Sequence, residues 1–540
     1  MKNINFKFFI SAAFIAMAAS SCTDLDVDIK SQYTSYPNSE IAVEAKTSDV
    51  YYAFRGMLGR RYNEAMTLSS DECTGVSFDG DYYDSGNYAH PSLHNFKADD
   101  ACIGYWPDLS SGITKCNQVI VDLGGDDAEV VAPVRAIRAF YHFILMDSYG
   151  DVPILDHVLD ADEVLDRSAR ADVAEWIESE LLAIRDNMPT AVDASTYGKP
   201  TYWMVNALLA KLYINWNVYT KDVTSSSWSA TSSNEKLDDC VAVCDEIIQS
   251  GLFDLSDDYL EKFYPTNGPG IKDFIYAMPY TAVNQDGMTY ARFRTWRKGD
   301  TDGNNGPGLY GMVVTKSVGG NLAVNPEFAA LFNLEGDRRK DALFKDALYQ
   351  YDPSSYMKTN TPFLYKDEQV VLTQEITLKV EDENLNVGNA VSGWSQGYRF
   401  NKFIMDPNAF GLYNRSQDND VPIFRYADIL LIKCEAILRG AATTHGDTPM
   451  GLFNQIRSYV NAPAITSNPT LDELLDERGR EFFDENWRRN DLIRFGRFED
   501  DWGFKNTINP SAKTDYTKRI FPVPTGVLNE NTNWTQNAGY

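Results

Sequence analysis

"PVRAIRAFYHFILMDSYGDVPI", residues 133–154, repeats its apolar side chains at helical spacing. Ile137, Phe140, Tyr141, Ile144 and Leu145 fall three and four positions apart, which gathers them on one face of a helix. Pro133 suits a first helical turn, where a missing N–H loses no partner, and Gly150 followed by Pro153 ends the run. The same periodicity predicts helices over 44–59, 170–187, 201–217, 236–250, 424–439, 448–460 and 471–485. "TYWMVNALLAKLYINW" (201–216) with "LDDCVAVCDEIIQSG" (237–251), and "YADILLIKCEAILRG" (426–440) with "PMGLFNQIRSYV" (449–460), read as helix–turn–helix units. Ala207, Ala210, Ala436 and Gly440 let such helices approach closely, as tetratricopeptide repeats do, although no clean period of about 34 residues survives. The expected fold is mainly α, a tetratricopeptide-like helical scaffold.

Two regions break the pattern. Residues 71–112 and 254–423 are rich in Gly, Asn, Asp and aromatics, with short strand-like runs such as "EQVVLTQEITLKV" (368–380). They are too long to be connections in a compact helical array, and long irregular excursions usually carry function. The scaffold therefore has large irregular loop and short-strand insertions, with helical repeats mainly over 44–60, 108–253 and 420–500.

Composition narrows the function. "NWRRNDLIRFGRF" (486–498) sets four arginines among aromatics and could pass for a nucleic-acid strip. The chain, however, carries 49 Lys+Arg against 77 Asp+Glu, a net charge of −28, and its field repels phosphates. Nucleic acid is excluded as a partner. The arginines instead suit buried carboxylates, which "LDELLDERGREFFDEN" (471–486) supplies nearby. Aromatics reach 13%, with 31 Tyr and 10 Trp, more rings than an aliphatic-built core requires.

Catalytic motifs fail on context. "GPGLYG" (306–311) satisfies G-x-G-x-x-G but follows a polar loop and precedes no helix, so it is no dinucleotide site. "GWSQG" (393–397) places Ser395 as a nucleophile elbow would, yet the following "YRFNKFIMD" looks extended where a helix is needed. "DTDGN" (300–304) starts like a calcium loop without its later glycine and glutamate. Cys73, Cys102, Cys116, Cys240, Cys244 and Cys434 match no disulfide framework or zinc spacing, and Cys240 and Cys244, one helical turn apart, read as buried small hydrophobes. No cofactor, no metal and no catalytic residue is expected.

"MKNINFKFFISAAFIAMAASSC" (1–22) has the basic start, apolar centre and small-residue end of a secretory signal. Ala19-Ser20-Ser21 before Cys22 resembles a bacterial lipobox, which makes 1–21 a signal peptide and Cys22 the lipidated residue anchoring 22–540, a single domain, to a membrane. Asp24, Asp26 and Asp28 resemble the surface-export signal of Bacteroidetes lipoproteins.

Four motifs in order carry a fuller resemblance. "RAIRAFYHFILMDSYGDVPI" (135–154), "DVPIFRYADILLIKCEAILRG" (420–440, with Asp428 where Glu is usual), "GREFFDENWRRNDLIRFGRF" (479–498) and "FPVPTGVLNENTNWTQNAGY" (521–540) resemble the SusD/RagB family of surface glycan-binding lipoproteins. The resemblance implies a non-enzymatic protein that captures an oligo- or polysaccharide ligand for a SusC-like TonB-dependent outer-membrane transporter. A peptide ligand, as in the RagB branch, is the alternative; a surface glycosidase or a pure interaction scaffold are the others.

Sugars offer apolar C–H faces and hydroxyl rims, which flat aromatics edged by polar side chains can meet. "VSFDGDYYDSGNY" (76–88) supplies Tyr82 and Tyr83 as platforms with Asp81 beside them. It follows Asp71–Glu72, where the starch-binding archetype of the family places tryptophans and this chain has none. "TYARFRTWRKGD" (289–300) supplies Trp296 flanked by Arg292, Arg294 and Arg297. Trp394 is a further candidate, and Trp487 and Trp534 read as scaffold.

Overall fold

The computed structural model describes residues 40–286, 294–297, 308–312, 316 and 318–540. Residues 45–540 form one unit. Its main helices are α1 (Trp106–Asp122), α2 (Ala132–Tyr149), α3 (Arg170–Ile184), α4 (Tyr202–Ile214), α5 (Leu237–Ser250), α6 (Tyr426–Leu438), α7 (Pro449–Tyr459), α8 (Leu471–Phe482) and α9 (Arg488–Arg494). α2 packs between α1 and α3, α4 against α5, and α6 against both α5 and α7. The fold is mainly α, as the periodicity implied.

α1 is absent from the helices that the sequence predicts, because Ser110, Ser111, Gly112 and Thr114 are weak helix formers. Gly112 has a packing reason: a Cβ there would stand 2.8 Å from the Tyr141 ring of α2. α8 starts as its sequence says, with a reciprocal cap in which Glu473 N donates to Thr470 Oγ1 (3.2 Å) and Thr470 N to Glu473 Oε2 (2.7 Å).

α5 and α6 pack together although 175 positions separate Gly251 from Tyr426, so the chain between them leaves the scaffold and returns to the same place. A two-stranded antiparallel ladder closes that excursion. β2 (Phe274–Met278) pairs with β6 (Val421–Arg425), Met278 opposite Val421 and Phe274 opposite Arg425. The described residues between them form short helices and short ladders, among them β3 (Leu322–Val324), which pairs with β1 (Cys73–Gly75), and the hairpin of β4 (Tyr349–Tyr351) and β5 (Lys358–Pro362). Of 368–380, only Glu368–Gln369 and Val371–Leu372 are strands.

Buried ion pairs bind this excursion to the C-terminal helices. Asp273 takes Lys262 and Arg425, each at 2.6 Å; Arg425 also meets Glu481 and Glu485; Lys402 meets Glu485 at 2.6 Å; Arg339 meets Asp337, Glu477 and Glu481. Burial by itself would raise the Asp273 carboxyl, but Lys262 and Arg425 overcome it and hold it below its usual range. Three of the four arginines of 486–498, Arg488, Arg489 and Arg494, face inward as well. Arg488 meets Asp71 (2.7 Å), Arg494 meets Glu435 (2.8 Å) and Asp491 (2.6 Å), and Arg489 lies 4.1 Å over the Phe521 ring. Arg497 pairs with Asp472 at the surface. The six described cysteines are buried and free.

Candidate functional site

The loop at 76–88 leaves β1 and turns back on itself at once. Phe78 N donates to Asp81 O (2.9 Å) and Asp81 N to Phe78 O (3.2 Å) around Asp79-Gly80. Both central residues have positive φ, 55° and 95°, the geometry for which Asp-Gly is the favoured hairpin pair. The Asp79 carboxylate accepts from Lys379 Nζ (2.6 Å), Asn386 Nδ2 (3.2 Å) and Asn389 N (3.1 Å), tying the tip to a second loop. Those bonds, led by Lys379, hold its carboxyl below the usual range.

Past the tip, Tyr82, Asp84 and Ser85 all take positive φ (63°, 48° and 58°). A bulky residue rarely adopts this region, and such strain persists only where its surroundings enforce it. Here the enforcing contact is a row of rings. Tyr82 meets Phe78 edge-on at 5.8 Å, Phe78 stacks on Trp394 at 4.8 Å, and Trp394 leans on Tyr365 at 5.4 Å. Phe78 and Trp394 are buried, the indole N–H donating to Asn389 Oδ1 (2.8 Å); Tyr82 and Tyr83 are half-buried and Asp81 is exposed. The structure thus leaves Asp81 exposed and Tyr82 and Tyr83 half-buried in one loop, sets Tyr82 against the Phe78–Trp394 stack, and turns Trp394 into part of that aromatic base.

Trp296 requires a correction. It is fully buried, its N–H donates to Phe400 O (2.9 Å), and its ring packs against Tyr310 and Phe344 at 6.0 and 5.3 Å. Arg294 is buried too: Nη2 donates to Asn321 Oδ1 (2.9 Å), Nε faces Glu64 Oε1 at 3.2 Å, and the guanidinium lies 4.8 Å from the Tyr88 ring centre. Arg297 donates to Thr295 O and Leu322 O, both at 2.8 Å. These side chains close the core under the insertion, because an indole with a partner for its N–H and rings beside it is more stable inside than in water. Neither Trp296 nor Arg294 is a ligand platform. Arg292 and Cys22 lie outside the described residues.

A second aromatic surface escaped sequence reading. Tyr264, Tyr349, Tyr351 and Tyr356 line an open cleft of about 490 Å³ between residues 258–264 and the β4–β5 hairpin. "YQYDPSSY" (349–356) was the available signal, three tyrosines bracketing a tight polar turn.

Ser395 does not sit on a nucleophile elbow. A short helix, Val391–Trp394, precedes it and a strand, Arg399–Phe400, follows, the reverse of a nucleophile elbow. Its hydroxyl donates to Val391 O (2.8 Å). Among the described residues no acidic, histidine or cysteine group is clustered to hold a metal, and no helix is long and apolar enough to cross a membrane.

Comparison with known proteins agrees with this architecture. Residues 258–540 match a family described as the SusD family, and residues 25–214 one described as starch-binding, associating with the outer membrane. The chain is 26% identical to the starch-binding protein SusD of Bacteroides thetaiotaomicron, over 100% of both chains. A SusD superfamily protein from Parabacteroides distasonis superposes with a TM-score of 0.69 at 19% identity, covering 93% of this chain and 100% of that one. Surface glycan-binding protein A from Bacteroides thetaiotaomicron, solved in complex with laminarihexaose, gives 0.65 at 18% identity, with 92% and 99% covered. At these identities the structural likeness speaks for the fold.

Proposed function

The chain belongs to the SusD family, and from that premise we propose that it is a non-catalytic glycan-binding lipoprotein of the outer membrane. Anchored through Cys22 and exposed at the cell surface, it retains oligosaccharide for a partner TonB-dependent transporter. The names of its relatives support the ligand class: one is called starch-binding and another was solved with laminarihexaose.

The observation that carries the reading is the geometry of Tyr82, held at φ 63° over the Phe78–Trp394 stack beside Tyr83 and Asp81. Strain maintained at a surface loop by buried rings gives a preorganised platform, which lowers the entropy cost of binding. Asp81 at the rim supplies an acceptor for sugar hydroxyls. Shallow sites of this kind bind in the micromolar to millimolar range, about −4 to −8 kcal/mol.

Affinity electrophoresis of the purified chain in gels containing neutral polysaccharides tests the reading. Retardation in at least one glycan, reduced by Tyr82→Ala and Tyr83→Ala, is the expected result. Binding to peptides with no retardation in any glycan would replace it by the peptide-capturing alternative, and release of reducing sugar would replace it by a hydrolase. Metabolic labelling with palmitate, lost in Cys22→Ala, tests the anchor.

A further inference from the structure

The tyrosine cleft shares no lining residue with the platform at Tyr82. Tyr264 and Tyr356 face each other edge to face, with ring centres 5.2 Å apart. Tyr351 packs on Phe344 at 5.2 Å, and Phe344 on the buried Trp296, so the cleft wall is continuous with the core. Lys358 Nζ lies 4.5 Å from the Tyr349 ring centre.

The turn that presents Tyr356 is fixed from within. The Asp352 carboxylate accepts from Ser354 N (3.0 Å), Ser355 N (2.8 Å) and both serine hydroxyls (2.6 and 3.0 Å). Those bonds, led by Ser354, pull its carboxyl down to about 2. Tyr356 itself sits at φ 57°, a second bulky residue in the left-handed region, and its N–H donates to Asp352 O (2.8 Å). Burial, with Asp406 nearby, pushes the Tyr356 hydroxyl up to about 12, so it remains a donor at neutral pH.

Rings and phenol hydroxyls in one cleft are the complement of a pyranose, with its apolar faces and its hydroxyl rim.

The charges around the cleft nearly cancel. Arg338, Lys340, Lys345 and Lys358 stand against Asp258, Glu261 and Asp341, and Arg338 is spent on Asp258. With a net charge of −28 over the whole chain, nothing here favours a polyanion.

We propose that this cleft is a second carbohydrate-binding site, separate from the Tyr82–Tyr83 platform and taking neutral pyranose oligosaccharides stacked on Tyr264, Tyr351 and Tyr356. The inference rests on the glycan-binding reading above. Two weak sites on one body raise retention of a polymer by effective concentration, without tighter contacts at either.

Calorimetric titration of the full chain with maltohexaose and laminarihexaose, and with hexagalacturonate as the acidic probe, tests it. The expected result is two sites for a neutral hexasaccharide, with Tyr264→Ala/Tyr356→Ala reducing the count to one and Tyr82→Ala/Tyr83→Ala removing the other. Tyr356→Phe, which keeps the ring, should retain both sites with a weaker second one, and it guards against misfolding of the double variant. Crystals of the unaltered chain soaked in the binding hexasaccharide should show sugar against Tyr356. One site abolished by Tyr82→Ala/Tyr83→Ala overturns this inference and leaves the glycan reading standing. No binding of either neutral probe, with no sugar in the cleft, overturns the second site, while the polysaccharide gels decide the wider reading separately. Preference for hexagalacturonate at the cleft overturns the neutral assignment.

Discussion

Arg425 grips Glu485 through two hydrogen bonds, Nε to Oε2 and Nη2 to Oε1, each 2.8 Å long. Both residues are buried. Arg425 is the last residue of β6, opposite Phe274 in the ladder that closes the insertion, and Glu485 lies just past α8. The pair therefore fastens the neck of the insertion to the C-terminal helices. Its Nη1 reaches Asp273 (2.6 Å) and Glu481 (2.9 Å) as well, so one guanidinium serves three carboxylates.

Removing that cation leaves the carboxylates buried with too little compensation. Breaking one member of a buried pair typically costs about 3–5 kcal/mol. Arg425→Met is expected to lower the urea midpoint by a corresponding amount. A variant within about 1 kcal/mol of the parent, on the scale of an exposed pair, would mean that the network does not hold the insertion in place.

Trp296→Ala separates core from platform. The buried indole fills space between Tyr310 and Phe344 and satisfies Phe400 O, so its loss is expected to cost about 3–5 kcal/mol of stability. The folded fraction should still bind glycan at the Tyr82–Tyr83 platform with unchanged affinity. A thermal melt unmoved by the substitution, beside a binding constant that collapses, would place the ring back at the ligand.

The contrast between α2 and Trp296 shows what the sequence could convey. α2 was legible because Ile137, Phe140, Tyr141, Ile144 and Leu145 repeat at a spacing only a helix satisfies, and the inward turn of Arg488, Arg489 and Arg494, though not of Arg497, followed from the acidic balance. Trp296 was misread because three neighbouring arginines imply a wet surface, whereas Arg294 and Arg297 are consumed by carbonyls, Glu64 and Asn321 brought from distant parts of the chain. Tyr82 and Tyr83 could be named as candidates from composition, but the ring row beneath Tyr82 runs through Phe78 to Trp394, more than 300 residues on. Tyr356 hid for the same reason: "DPSS" reads as a solvated turn until Tyr264 is placed across from it.

Asp420 gives the chain a pH dependence in the acid range. Its Oδ1 accepts from Tyr280 N (2.8 Å) and its Oδ2 from the Tyr197 hydroxyl (2.7 Å), and burial, with Asp418 adding to it, pushes its carboxyl up to about 6. An unfolded aspartate titrates near pH 4. Because the folded value is the higher one, the folded state holds this proton more tightly. Its contribution is full below about pH 4 and is lost as pH rises through about 6. Roughly two units correspond to about 3 kcal/mol. The stability of the parent relative to Asp420→Asn, from urea unfolding at successive pH values, should therefore fall across that window. A difference that stays constant from pH 4 to 7 contradicts the assignment.

Tyr82 and Tyr83 carry the prediction on which the ligand depends. The loop is tied at Asp79 to Lys379, Asn386 and Asn389, and its inner face is Phe78 against Trp394; neither tyrosine hydroxyl is needed for those bonds. Alanine at either position should leave the fold intact and remove a stacking surface. If a sugar face stacks as a nucleobase does, each ring contributes about 1–3 kcal/mol, a weakening of roughly 5- to 150-fold. Tyr83→Phe should keep most of the affinity, since the face and not the hydroxyl does the holding. Asp81→Asn, which keeps an acceptor oxygen, should cost less than either ring. Gel mobility in a retarding polysaccharide, measured beside a melting curve for each variant, reads both effects. Full retardation in the Tyr82→Ala/Tyr83→Ala chain would mean that this strained turn is only architecture, and that the glycan is held elsewhere on the insertion.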